Sequence, residues 1–433
     1  MIENQNLYGK EVREMRSKVI FLTGGTGFVG SFLAHRLLQE GHKIIFLARN
    51  SKSESAYERV ESALRFIEPG HDFRNQFAVI DGDITKWNLG INLLQLQRLK
   101  KIDEIWHCAA SISFRKEEVD KTYAINVDGT KNILEFAEKI EIPRLHYFST
   151  AYVAGNRLGK VYEDELDCGQ KLRNPYEQTK LEAEKLVQKC RERNGLETSI
   201  YRLSIVVGDS RTGKTPSFTG YYTFMRGFYV LQKKIYQRMK KMGGYYRKSG
   251  IVYGNGSLII PARVPCFPQG LINIATIDYV TETICKLADQ EGSKRKTFHI
   301  VNQDPPGFTW LFNTGTKILG MKGFRLTETS TFLAETNTDS ILRKIESDIL
   351  YACEDYLPYI SGEPVFDDSN VQKLVGPIAH PPVTEKVIET LLKYAVDVKF
   401  SRRTIGTKEV PLPAVSVSLL RSLPLKTELS SKG

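Results

Sequence analysis

Between Ser210 and Ile277 the chain carries no aspartate or glutamate, although such residues number 50 of its 433. Eleven cations fall in that acid-free stretch: Arg211, Lys214, Arg226, Lys233, Lys234, Arg238, Lys240, Lys241, Arg247, Lys248 and Arg263. Outside it basic and acidic residues balance, so one segment carries the whole net charge of +11. No run of 18 apolar residues occurs, and no membrane-spanning helix is expected. The polar, mixed-charge start (MIENQNLYGKEVREMR) lacks the apolar core of a signal peptide. The six cysteines, Cys108, Cys168, Cys190, Cys266, Cys285 and Cys353, form no CxxC pair, and no histidine cluster stands at metal-ligand spacing. A disulfide framework and a metal site are therefore not expected, whereas a reducing, cytoplasmic location is.

What is present alternates. Strands are expected at 18–22, 43–48, 77–81, 103–107, 144–149 and 198–203, and helices at 31–40, 54–67, 91–100, 122–139 and 176–193. Strands separated by helices predict an α/β chain with a doubly wound parallel sheet covered on both faces. After residue 208 the pattern gives way to a basic, Tyr-rich, Gly-interrupted segment. Strands at 270–277 and 297–302 with a helix at 278–289 return to the main sheet, and amphipathic helices follow at 331–356 and 383–396. Residues 401–433, with two Pro-Leu pairs and many Ser, Lys and Arg, read as a poorly ordered tail.

The first chemical motif is Thr23-Gly24-Gly25-Thr26-Gly27-Phe28-Val29-Gly30, between a strand and a helix. In that place Gly24 permits a tight turn, Gly27 lets the backbone approach a pyrophosphate, and Gly30 lets the helix pack closely on the sheet. The helix N-terminus then offers N–H groups to the anion; the alternative is an ordinary turn. Where the second strand ends, Ala48-Arg49-Asn50 stands in place of an acidic residue. A guanidinium there suits the 2′-phosphate of NADP, with Lys52 and Arg59 as helpers, unless Arg49 is only a solvated surface residue. Asp83 in Gly82-Asp83-Ile84 is either an acceptor for an adenine amino group or a turn aspartate. His107-Cys108-Ala109-Ala110-Ser111 leaves room for a cofactor at the sheet edge, and His107 reads as a satisfied buried histidine.

Asn174-Pro175 precedes Tyr176-Glu177-Gln178-Thr179-Lys180, and four residues of helix bring Tyr176 and Lys180 onto one face. An ammonium there is expected to lower the phenol's pKa from near 10 and make it a usable general acid. Alone, the spacing is common. Its company is not: Ser149-Thr150-Ala151-Tyr152-Val153-Ala154-Gly155 ends the preceding strand. Asn126 lies on a helix able to carry a proton relay, and Arg202-Leu203-Ser204-Ile205-Val206-Val207-Gly208 leaves the next strand.

These elements, in this order, resemble the extended short-chain dehydrogenase/reductase family, densely over 18–208 and more loosely to about 302. The closest likeness is to its male sterility branch of fatty acyl-CoA reductases and thioester reductase domains, through FSTAYVAG, RLSIVVGDSRTG and LINIATIDYV. The resemblance implies a Rossmann-type fold and a catalytic set of Thr150 (rather than Ser149), Tyr176, Lys180 and Asn126. It implies NADP contacts at Thr23, Gly24, Thr26, Gly27, Phe28, Val29, Gly30, Arg49, Asp83, Ile84, Ala109, Ala110, Leu203, Ile205 and Val206, besides Tyr176 and Lys180. In that branch Asp278 and its neighbours rebuild the substrate side of the sheet. Leu203 departs from the proline common there.

The domains expected on this basis are an N-terminal extension (1–17), an NADP-binding domain (18–210) completed by 266–305, a basic substrate insert (211–265), a helical substrate-binding region (306–400) and the tail. The expected reaction is reduction of an acyl thioester by NADPH to an aldehyde or alcohol. The basic insert would attract acyl-CoA phosphates or an acidic acyl carrier protein. A solvated face and a peripheral membrane contact through 221–241 rank behind, and nucleic acid is not expected. Alternative functions are a family member acting on a ketone, alcohol, sterol or nucleotide sugar, and a non-catalytic NADP-binding scaffold.

Overall fold

The computed structural model describes residues 17–92, 99, 102–360, 362–376 and 381–401. The expected helix at 91–100 lies mostly outside these residues, as do nearly all of the N-terminal extension and the tail.

Seven parallel strands form the central sheet: β1 (Val19–Thr23), β2 (Lys43–Ala48), β3 (Phe77–Asp81), β4 (Glu104–His107), β5 (Arg144–Thr150), β6 (Glu197–Leu203) and, after a long excursion of the chain, Lys296–Ile300. The strand order is Lys296–Ile300, β6, β5, β4, β1, β2, β3. It reverses between β1 and β4, which opens a crevice at the carboxyl edge where this class of sheet takes its ligands. The central strands β1, β4, β5 and β6 are buried from both faces almost throughout, as a helix-covered parallel sheet requires, while the edge strand β3 is half-exposed.

The flanking helices begin and end on local signals. Helix α1 (Phe28–Gln39) starts inside the glycine turn, three residues earlier than expected, and Gly41 follows its end at φ +86°. Helix α2 (Ala56–Ile67) opens on a complete capping box between Ser55 and Glu58. The helix expected at 122–139 runs as Val119–Tyr123 and α3 (Gly129–Lys139), joined by a π-turn over Ala124–Asp128. Helix α4 (Pro175–Asn194) has Asn174 as its N-cap, accepting from the Glu177 amide, and Pro175 in its first turn.

The segments 211–265 and 306–400 share one apolar core, built around Tyr222, Met225, Phe228, Phe312, Ile349 and Leu391. Its spine is α5 (Tyr221–Lys248), 28 residues long, with a kink at Met242 (φ −138°, ψ 42°). Ile205–Val207 pairs in parallel with Ile274–Thr276, the only part of the expected 270–277 strand that forms one. The helix expected at 331–356 is interrupted: Asp339 accepts from the Ile341 and Leu342 amides and starts α6 (Ser340–Cys353) afresh. Asp278 accepts from both the amide and the hydroxyl of Ser210 (2.9 and 2.7 Å), fastening the turn that leaves the sheet.

Candidate active site

Strand β1 delivers the chain into the glycine turn at the sheet's carboxyl edge. Gly24 stands at φ +77°, and a Cβ there would come within 2.5 Å of the Ala109 amide nitrogen. Gly30 lies against the Gly24 carbonyl, 2.3 Å from where its Cβ would be, so it packs α1 onto the turn rather than onto the sheet. Gly27 is exposed at the head of α1, whose first turn has no acidic residue and no side-chain cap. Thr26, Phe28 and Val29 are half-buried around it. Free amides with no competing anion and no Cβ in the way fit the diphosphate of a dinucleotide.

Arg49 is 60 % exposed, and its guanidinium faces the Asp83 carboxylate at 3.6 Å. Asp83 is also held by the Thr85 amide and hydroxyl (3.0 and 2.9 Å), and these donors with Arg49 keep its pKa below the usual carboxylate value against the opposing effect of burial. Ile84 is buried against Gly129. His107 is fully buried between the hydroxyls of Thr23 (2.7 Å) and Thr130 (3.2 Å). Burial, aided by the Lys180 charge, lowers its pKa to about 3, so it stays neutral: the satisfied histidine that the sequence implied.

The two hydroxyls ending β5 have different neighbours. Ser149 donates to Glu184 at 2.6 Å, and Glu184 is paired with fully buried Arg202 at 2.7 Å. Thr150 donates to the Leu203 carbonyl (3.3 Å) and accepts from the Tyr152 amide (3.2 Å), and its hydroxyl lies near the Tyr176 phenol. Asn126, in the π-turn, brackets the Ser111 backbone (2.7 and 2.9 Å) and donates to Thr179 (2.9 Å), one residue before Lys180. The structure thus brings Thr150, Tyr176, Lys180 and Asn126 to one edge.

One expectation is corrected. Burial pushes the Tyr176 phenol up to about 12, with the Thr150 hydroxyl opposing that rise only in part. The Lys180 ammonium does not offset it, because it is turned to the Tyr147 hydroxyl (2.8 Å) and the Phe148 carbonyl (2.5 Å). Burial lowers the Lys180 pKa to about 7. Sequence spacing found the shared helix face but not Tyr147, which anchors the ammonium from the strand beneath.

The substrate side was not legible as a cavity. An apolar hollow of about 40 Å³, partly open to solvent, is lined by Ile205, Gly220, Tyr221, Phe224, Ile272, Phe308, Leu311, Phe312, Tyr356, Tyr359 and Ile360. Phe114 joins it to the site: its ring centroid is 6.1 Å from that of Tyr176, 6.1 Å from that of Tyr356 and 5.7 Å from that of Tyr359. Tyr359 donates to buried Glu177 at 2.6 Å, and Glu363 bridges the Tyr152 hydroxyl and the Asn273 amide, both at 2.7 Å. The first of these bonds fixes the 356–360 segment against the catalytic helix. Glu177, adjacent to Tyr176, was the one available signal, since a carboxylate buried there needs a partner.

The basic segment divides along α5. Its first half is buried and lines the cavity. Lys234 and Arg263 pair with Asp348 and Glu346. Lys233, Arg238, Lys240, Lys241, Arg247 and Lys248 are exposed and make no ion pair among the described residues. No group of His, Cys, Asp and Glu able to hold a metal and no helix able to cross a membrane occurs among the described residues.

A doubly wound sheet, a glycine turn at its switch point and a Thr–Tyr–Lys set define an NAD(P)-dependent oxidoreductase of the short-chain dehydrogenase/reductase type. Within that class the chain belongs to the male sterility protein family, whose profile it matches over residues 22–284. It is 32% identical over 153 residues to the fatty acyl-CoA reductase wat of Drosophila melanogaster, covering 33% of this chain and 29% of that protein. It is 30% identical over 201 residues to fatty acyl-CoA reductase 1 of Arabidopsis thaliana, covering 42% of this chain and 41% of that protein. The matches therefore span well under two thirds of these relatives. Among solved structures, the terminal R domain from the myxalamid PKS-NRPS biosynthetic pathway superposes with TM-score 0.70 at 26% identity, over 89% of this chain and 92% of that one. The UDP-glucuronic acid 4-epimerase of Bacillus cereus superposes with TM-score 0.58 at 18% identity, over 88% of this chain and 99% of that one, a likeness of fold.

Proposed function

We propose that the protein reduces acyl thioesters with NADPH, with Thr150, Tyr176 and Lys180 as catalytic residues and Asn126 supporting them. The observation that carries this reading is the apolar cavity joined through Phe114 to Tyr176. The apolar lining suits the first carbons of an acyl chain, with the remainder running out through the open side, whereas a sugar would leave its hydroxyls unpaired there.

NADPH, when bound, supplies the hydride that reaches the thioester carbonyl carbon. The glycine turn and the α1 amides bind the diphosphate, and Arg49 at the end of β2 pairs with the adenosine 2′-phosphate. Thr150 donates a hydrogen bond to the carbonyl oxygen as negative charge develops on it. Tyr176 gives that oxygen its proton, completing a hemithioacetal. A phenol held near 12 in the free protein gives up its proton readily only once a more basic alkoxide forms beside it. Lys180, whose ammonium rests on the Tyr147 hydroxyl, would hold the nicotinamide ribose rather than the phenol. Collapse of the hemithioacetal returns the hydroxyl proton, breaks the C–S bond and releases the thiol with an aldehyde. The unpaired cations on the outer half of α5 attract the phosphates of CoA or the acidic surface of a carrier protein.

The test is NADPH consumption by the purified chain with acyl-CoAs, acyl carrier thioesters, aldehydes, ketones and nucleotide sugars. Thioesters are expected to be reduced, aldehydes only if the product is the alcohol, and Tyr176→Phe to abolish turnover while sparing NADPH binding. Consumption with ketones or nucleotide sugars alone would overturn the proposal.

A further inference from the structure

Lys180 has a neighbour outside the proposed catalytic set. Its ammonium donates to the Tyr147 hydroxyl at 2.8 Å and to the Phe148 carbonyl at 2.5 Å, and it lies 4.3 Å from the centroid of the Tyr147 ring. Tyr147 is completely buried in the middle of the sheet, on a strand pairing with both β4 and β6. The Thr130 hydroxyl lies beside the phenol and donates to the Asn126 carbonyl at 2.6 Å. His107 closes the other side of Thr130 at 3.2 Å and is itself fixed by Thr23. A buried tyrosine hydroxyl needs a partner, but an apolar Phe would fill this interior position with no such requirement. The chain instead spends a phenol here, and its main donor is the lysine.

We infer that Tyr147 is a positioning residue for Lys180: its hydroxyl and ring hold the ammonium at the active-site edge and favour its charged form. The inference rests on the proposed role of Lys180. The physical need is plain, since burial lowers the Lys180 pKa to about 7 and would discharge the amine at working pH. The groups facing Lys180 are His107 and Cys108 from β4, Tyr147 from β5, and Glu184 from its own helix. His107 is held neutral down to about pH 3, and burial keeps the Cys108 thiol and the Tyr147 phenol protonated. Lys180 is therefore the member of this group that titrates near neutrality. A hydrogen bond to a charged group corresponds to a pKa shift of roughly one to two units.

The test is the pH dependence of two quantities, kcat and the affinity for NADPH, in Tyr147→Phe and in Thr130→Val. In Tyr147→Phe the limb that falls as Lys180 loses its proton should move about one unit to lower pH in both profiles. At pH 7.5 kcat should fall about tenfold, with KM for the acyl substrate changed less than twofold. Thr130→Val, which removes the hydroxyl beside the phenol, should move the same limb in the same direction by less. Superimposable profiles, or a loss of kcat equal at every pH, would overturn the inference. If Tyr147→Phe does not fold, an unshifted Thr130→Val profile overturns it alone. If no thioester is turned over but the affinity limb still moves, the proposed function fails and the positioning role stands.

Discussion

Ser149 and Thr150 are adjacent hydroxyls at the end of one strand, and the structure gives them separate tasks that two substitutions can separate. Ser149→Ala deletes a 2.6 Å bond to Glu184, which keeps its pairing with Arg202. A bond to a charged group contributes about 1.5–3 kcal/mol. At about 2.1 cal/mol/K per residue, a chain of 433 residues loses roughly 1 °C of Tm per kcal/mol. Ser149→Ala should therefore melt about 2–3 °C lower, with kcat within about threefold of the parent. Thr150→Val keeps the side-chain shape and removes only the hydroxyl. Its bonds at 3.2 and 3.3 Å are long, so the stability loss should stay near 1 kcal/mol. Losing a donor to the developing oxyanion should lower kcat by about 10²–10³-fold. Scanning calorimetry and steady-state NADPH oxidation on both variants measure each quantity. A large rate loss in Ser149→Ala with near-normal turnover in Thr150→Val would refute the assignment.

Arg49→Ala should weaken NADPH by about 10–100-fold while leaving NADH nearly unchanged, as the loss of charge-assisted bonds to one phosphate implies; equal weakening in a fluorescence titration would contradict it. Glu163 and Glu363 have pKa values raised by burial to about 8 and about 7. A raised acid stabilises the fold below its unfolded pKa, and that stability is lost as pH rises through the folded value. Stability, and Tm with it, should therefore decline between about pH 5 and 8, by up to about 1.4 kcal/mol per pH unit for each group, and Glu363→Gln should flatten the decline below about pH 7. Leu311→Trp, filling the cavity, should raise KM for long acyl chains by about tenfold or more and spare short ones; a uniform change would separate the cavity from chain binding. Lys240→Glu with Lys241→Glu should slow capture of CoA or carrier substrates about tenfold at low salt, an effect that vanishes at high salt.

Most of the sheet was legible because its signals are local. The strands at 43–48 and 77–81 fall where the apolar runs place them, and Asn174-Pro175 marks the start of α4. The motifs placed Thr150 at the end of β5 and Tyr176 in the first turn of α4, with Lys180 one turn further along the same face, while Asn126, expected on a helix, lies in the π-turn. Helix α5 could not. Its buried stripe of Tyr221, Phe224, Phe228, Leu231 and Ile235 is interrupted by Gly227 and ends at Gly243-Gly244 among lysines, so charge hid the period. The cavity is assembled from α5, the 308–312 helix start and the 356–360 segment, which lie far apart in sequence. The Tyr147–Lys180 bond is likewise long-range, and it reverses what the i, i+4 spacing implied for the Tyr176 phenol.

The central claim is that the carbonyl presented to Tyr176 belongs to a thioester. Free thiol and NADPH are therefore to be followed in the same cuvette, with a long-chain acyl-CoA or acyl carrier thioester as substrate. The account predicts that thiol appears as NADPH disappears, at one NADPH per thiol for an aldehyde product or two for an alcohol. It further predicts that both signals vanish together in Tyr176→Phe. NADPH consumption without thiol release, or thiol release that continues without NADPH, would contradict it.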